Sequence, residues 1–330
     1  MAESRRRFPG ISSEAFEHPT DRSALQTLRV APGIDWVFRK FNEFGGDRAG
    51  KLFCMSDMVR VGPTQFRQLH EMLVESCEIL DMPVPQMYVN QFPVANAHTF
   101  CVESPIIVLH SGILELLDEE EWRVIIGHEL GHIKSNHVLY RQIAEFLFRL
   151  IIALGGRTFG LGRAAGMGIF AAFFHWYRQS ELTADRAALL VSQNPDAVVS
   201  ALMKLAGGSR RLYEEMDRST FLEQGREYQE MGKDFINQLL QVGQTLQTTH
   251  PFPAVRALEA DAWAKSDAWK SIMAGDYPRK QAKPRADENP ASGSKSTGDG
   301  SSRKCPECKT IVRFRTFLFC PECGADLPSS

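Results

Sequence analysis

Residues 119–137 read Glu-Glu-Glu-Trp-Arg-Val-Ile-Ile-Gly-His-Glu-Leu-Gly-His-Ile-Lys-Ser-Asn-His, and inside them His128-Glu129-Leu130-Gly131-His132 sets a His-Glu-x-x-His spacing. Residues four apart on a helix lie on one face about a turn apart, so two imidazoles can converge on one ion. Glu129 is offset from both rings and can reach a water beside the metal rather than the metal itself. The flanks predict the helix that the spacing needs. Asp118 stands as an N-cap with Glu121 three residues on, and the acidic first turn suits the positive end of the helix dipole. Trp122, Val124, Ile125, Ile126, Leu130 and Ile133 give it an apolar face. A plain core helix would have to bury two imidazoles and a carboxylate without partners, which is costly.

Working outward, 330 residues suit one substantial globular domain and something smaller. A hydrophobic share of 43% can build a core, and a net charge of -2 argues for neither nucleic acid nor an anionic membrane. The arginines near the N-terminus precede no apolar run, so they are not read as a secretory signal. Cys54, Cys77 and Cys101 are scattered, whereas Cys305, Cys308, Cys320 and Cys323 cluster. That usage points to a reducing compartment, and the expected localisation is cytoplasmic.

Residues 1–63 read as a flexible lead of about twenty residues and a segment that packs on the main domain. A metallopeptidase-like domain is expected over 64–277. It starts with an amphipathic helix from Thr64 to Leu80 and continues with short strands between Gln86 and His110. A sheet before the motif helix could pair its edge with an extended peptide, and Asn96-Ala97 marks that edge or a turn. The stretch 142–177 is apolar but interrupted by Glu145, Arg149, Arg157 and Arg163. Its longest uncharged run, Ala164 to Tyr177, is 14 residues, short of the roughly 20 a membrane span needs. Two buried or partly exposed helices joined near Gly155-Gly156 are expected, with contact to a membrane left open. Residues 278–302 are polar and rich in Pro, Gly and Ser, hence a linker.

A catalytic zinc needs a third protein ligand and an open position. The long metzincin pattern would take it from six residues past the second histidine, but Ser135 and Val138 stand where its glycine and histidine should be. His137 reads as a surface or outer-shell residue. Glu181 and Asp185 are four apart on one helix face. They fit a third ligand and an acceptor for a ligand's other ring nitrogen, or else a solvated face paired with Arg178 and Arg186.

With Asn96-Ala97, His128–His132, Glu181-Leu-Thr-Ala-Asp185 and His250-Pro-Phe-Pro-Ala-Val-Arg256 in this order, the chain resembles the HtpX-like and CaaX-prenyl-protease type of zinc metallopeptidase. This is metallopeptidase family forty-eight, a gluzincin, and the resemblance runs from about Thr64 to Ile272. It implies zinc on His128, His132 and Glu181, Glu129 as base, His250 as oxyanion donor and Arg256 as a structural partner. The family's transmembrane helices have no clear equivalent in 142–177.

Residues 303–330 carry Cys305-Pro-Glu-Cys308 and Cys320-Pro-Glu-Cys323, resembling a zinc ribbon in which four thiolates close a structural site. So short a module needs the metal to fold. The expected fold is α+β: a mainly helical zincin-type domain with a small β-sheet, then the ribbon. The expected activity is hydrolysis of internal peptide bonds in protein or peptide substrates, with one catalytic and one structural zinc. Rival readings are a non-catalytic adaptor working through the ribbon and a peripheral membrane quality-control peptidase. Oligomeric state is not legible.

Overall fold

The structure is a computed structural model and describes residues 5–29, 46–142, 161–231, 252–280, 303–304 and 311–312. The chain divides into two units, Met1–Lys280 and Gln281–Ser330.

In the first unit the N-terminal segment is not a loose lead. Phe8, Ile11 and Phe16 are fully buried in the main core, and Ile11 bridges to Arg279. Large apolar side chains at 8, 11 and 16 outweigh the polar residues between them. Helix α1 (Pro19–Arg29) follows, and then α2 (Gly46–Asp57). Helix α3 (Arg67–Ile79) begins later than the periodicity suggested, because Phe66 before it is left-handed at φ 53.

The sheet has strands β1 (Val59–Arg60), β2 (Gln86–Asn90), β3 (Ala97–Phe100) and β4 (Ile106–His110). Their order is β1-β2-β4-β3. β2 and β4 run parallel, while β1 and β3 pair antiparallel to them. Central β4 is buried at every position, as its unbroken Ile-Ile-Val-Leu run requires. β3 comes last in this order among the described strands, with Ala97 and Thr99 buried and His98 and Phe100 half-buried. Asn96 precedes it and accepts from the His110 amide at 3.0 Å.

Short α4 (Ser111–Leu116) leads to α5 (Glu119–Lys134), the motif helix. Its expected cap is present: Asp118 accepts from the Glu121 amide, and the Glu121 side chain accepts from the Asp118 amide, a reciprocal capping box. Helix α6 (Leu161–Ser192) runs unbroken through Tyr177 and Glu181 for 32 residues. It therefore joins the end of the apolar stretch to the Glu-Leu-Thr-Ala-Asp segment in one helix. The junction near Gly155-Gly156 lies outside the described residues. Among the described residues no helix is long and apolar enough to cross a membrane.

α7 (Pro195–Gly207), α8 (Arg218–Met231), α9 (Pro253–Ala264) and α10 (Asp267–Ala274) complete this unit. The region of Trp263 and Trp269 is two helices, because the Ser266 side chain caps the Trp269 amide and starts a new one. The apolar face of α5 meets α3, α6 and α7 in one core with β2 and β4. In the second unit, β5 (Arg303–Lys304) pairs antiparallel with β6 (Ile311–Val312). Cys305 and Cys308 fall between them in the sequence. All four ribbon cysteines lie outside the described residues.

Candidate metal centre

The approach of α5 to α6 makes the site. Gly127 and Gly131 are four apart and face Ala184, Ala187, Ala188 and Val191. A Cβ on Gly131 would lie 2.7 Å from Ala187 Cβ, and one on Gly127 would lie 2.9 Å from Ala188 Cα. With small residues on both sides the helix backbones close together, and a carboxylate of α6 then reaches the rings of α5.

His128 Nε2 and His132 Nε2 are 3.1 Å apart. Glu181 lies 3.5 Å from the first and 3.3 Å from the second, each through one of its two oxygens. Among the described residues these three form a group able to hold a metal ion, and all three are buried. The spacing fits the ion. Donors about 2.0–2.1 Å from a tetrahedral zinc are about 3.3 Å from one another. Three ligand-type side chains buried with their donor atoms this close suit a site built around a cation.

Surrounding groups fix each donor. His128 Nδ1 is 3.0 Å from Asp185 Oδ1. Arg256 donates to both Asp185 oxygens at 2.8 and 2.6 Å, and its remaining terminal nitrogen is 3.0 Å from Glu181 Oε2. Asp185 and Arg186 do not form the solvated face considered above: Asp185 is 3% exposed and turns inward. Burial opposes charge on Asp185, but Arg256 overrides it and holds the carboxyl down at about 2. Burial likewise pulls His128 down, yet the Asp185 and Glu181 carboxylates raise it to about 9. His132 goes the other way, to about 4, through burial together with the His128 and His137 rings.

Glu129 is 1% exposed and accepts from Thr99 Oγ1 at 2.6 Å. It lines a cleft of about 370 Å³ with His128, Asn96, Ala97 and Arg256. Nothing in the sequence marks Thr99 as a partner of the motif. Only alternation along β3 could have placed it toward the motif helix. His250 lies outside the described residues. Of the two readings of His137, surface or outer-shell, burial excludes the first: its Nδ1 lies 3.0 Å from His132 Nδ1.

A His-Glu-x-x-His helix packed on a helix that brings a carboxylate to both rings is the arrangement of a metal-dependent hydrolase. The model for peptidase family M48 matches residues 63–264, and the chain belongs to that family of zinc-dependent proteases. It is 36% identical over 276 residues to plastoglobule-localized metallopeptidase 48 of Arabidopsis thaliana, covering 81% of this chain and 77% of that one. It is 29% identical to protease HtpX homolog 2 of Methanosarcina acetivorans, over 44% of this chain and 58% of that one. An HtpX homolog of Dictyoglomus thermophilum is 30% identical over 38% of this chain and 49% of its own length. No solved structure matches.

Proposed function

We propose that the chain cleaves internal peptide bonds, with zinc held by His128, His132 and Glu181 and with Glu129 as general base. The observation that carries this reading is the convergence of three ligand atoms beside a buried carboxylate that faces a cleft. Zinc held there would supply Lewis acidity toward the scissile carbonyl and would lower the pKa of water to about 7. Glu129, held by Thr99, takes the proton of the attacking water and passes it to the leaving amine. Asp185 orients His128, and Arg256 neutralises Asp185 and steadies Glu181. His250, inside the family match, is the candidate oxyanion donor.

Asn96 and Ala97, at the start of β3, line the cleft beside Glu129, where an extended substrate would run. The cleft beside Glu129 is walled by Ile113, Val124, Ile125, Leu202 and Leu205, which suits an apolar substrate side chain. The adaptor reading is not favoured, since a scaffold has no use for a buried, hydrogen-bonded Glu129. A second, structural zinc on Cys305, Cys308, Cys320 and Cys323 is supported by their spacing and by the β5–β6 pairing around the first knuckle. Three free, buried cysteines support a reducing compartment, and we assign the chain to the cytoplasm. Fractionation tests that assignment. Recovery in lipid-bound fractions, as the Arabidopsis relative's plastoglobule name would suggest, would replace it.

The test of the reaction is Glu129→Gln, assayed by peptide hydrolysis beside zinc content. Zinc should stay and hydrolysis should vanish. Full activity in this variant would remove Glu129 from the mechanism.

A further inference from the structure

His137 stands just past the turn that ends α5, and residues 137–142 are helical again. Its side chain is 3% exposed. One ring nitrogen, Nδ1, is 3.0 Å from His132 Nδ1, and the other, Nε2, is 2.9 Å from Asp21 Oδ2. Asp21 sits on α1 and is 1% exposed. It also accepts from Trp176 Nε1 at 2.9 Å and from Thr183 Oγ1 at 2.6 Å, both on α6. The Thr183 hydroxyl in turn accepts from the His18 amide at 2.9 Å, which ties the start of α1 to α6.

One placement of the protons fits these distances. An ionised carboxylate only accepts, so His137 Nε2 carries the N–H that meets Asp21. A neutral His137 then has a lone pair on Nδ1. Across 3.0 Å, His132 Nδ1 must supply the proton. The free lone pair of His132 is thereby left on Nε2, the nitrogen that faces Glu181 and His128 Nε2. The two rings of the motif are thus held by different means. His128 meets a carboxylate directly, and that carboxylate is paired with Arg256. His132 meets a second imidazole, and the carboxylate lies one ring further out.

We propose that Asp21 and His137 are positioning residues of the metal centre: a carboxylate–imidazole–imidazole chain that fixes the tautomer and ring plane of His132. The N-terminal helix is then part of the site, although Asp21 lies upstream of residue 63, where the family match begins. The inference rests on the ligand reading of His132 given above.

The test uses the full chain with His137→Phe, which keeps a ring and removes both nitrogens, Asp21→Asn, and His132→Ala as reference. Zinc is titrated against a chelator, and melting is measured with and without zinc. The phase of zinc release that His132→Ala abolishes identifies this site. His137→Phe should weaken zinc there by about 10–100-fold, the usual cost of losing an outer partner, and Asp21→Asn should weaken it in the same direction. Both should also shrink the rise in melting temperature that zinc produces, which a residue that only fills the core would not do. Zinc affinity within twofold of wild type in the His137 and Asp21 variants overturns the positioning role while leaving the ligand reading intact. Full zinc binding by His132→Ala overturns the ligand reading instead. Ring nitrogen NMR of the wild-type zinc-loaded chain decides the matter even if the variants fail to fold. His137 should be protonated on Nε2 and bare on Nδ1, and the opposite tautomer sinks the proposal.

Discussion

Gly131→Ala is the substitution that most sharply tests how α5 and α6 build the site. The added Cβ would stand 2.7 Å from Ala187 Cβ and 3.0 Å from Ala184 Cα. Carbon atoms rest at about 3.5–4.0 Å, so the helices must part by close to 1 Å. Overpacking of this kind costs about 1–3 kcal/mol. Alanine returns about 0.5–1 kcal/mol through backbone entropy, so a net loss of up to about 2.5 kcal/mol is expected. The effect on chemistry should be larger than that on stability. Glu181 rides on α6 and the histidines on α5, with donor spacings of only 3.3 and 3.5 Å between them. A 1 Å misplacement costs on the order of 100-fold in rate. Gly207→Ala, at the end of α7, is the control, since nothing lies within 4 Å of its new Cβ. It should be neutral or slightly stabilising. Chemical denaturation and peptide hydrolysis are measured on both variants. A Gly131→Ala protein as stable and active as Gly207→Ala would refute the close-packing account.

Thr99→Val removes the hydroxyl that holds Glu129 and should slow hydrolysis about tenfold, the low end for a hydrogen bond to a charged group, with zinc content unchanged. In the metal-free protein burial lowers the His128 pKa, but Asp185 and Glu181 raise it from 6.5 to about 9. Its contribution to metal-free stability is therefore full below pH 6.5 and lost as pH rises through 9. Zinc needs the neutral ring, so uptake at pH 7 should release about one proton, and apparent affinity should fall about tenfold per pH unit on acidification below 9. Calorimetry in buffers of different ionisation enthalpy reads this proton directly. A chain ending at Lys280 should keep the unfolding transition of the first unit and its hydrolysis, because the chain divides at that point. Loss of that transition would make the second unit integral to the first.

What was legible in the sequence depended on short-range physics. The Asp118–Glu121 capping box, the helix through His132 and the β2 and β4 strands all follow from local spacing, and all are present. Glu181 and Asp185 could be paired with the motif only through the order of landmarks, since Glu181 lies 49 positions past His132. Thr99 and Asp21 were invisible because a lone Thr in a strand and a lone Asp in a first turn have ordinary local roles. The burial of Phe8, Ile11 and Phe16 was missed because isolated apolar residues among arginines, prolines and glutamates carry no period. The unbroken run of α6 was obscured by the change from an apolar to a charged composition at Tyr177.

The central claim is that His128, His132 and Glu181 together hold zinc. Crystals of the zinc-loaded chain, with diffraction recorded on both sides of the zinc absorption edge, test it without reference to activity. The account predicts an anomalous peak within about 2.0–2.2 Å of His128 Nε2, His132 Nε2 and a Glu181 oxygen. The His137 ring should sit behind His132, away from the ion. A peak bonded to His137 in place of Glu181, or no peak between the two motif histidines, would contradict it.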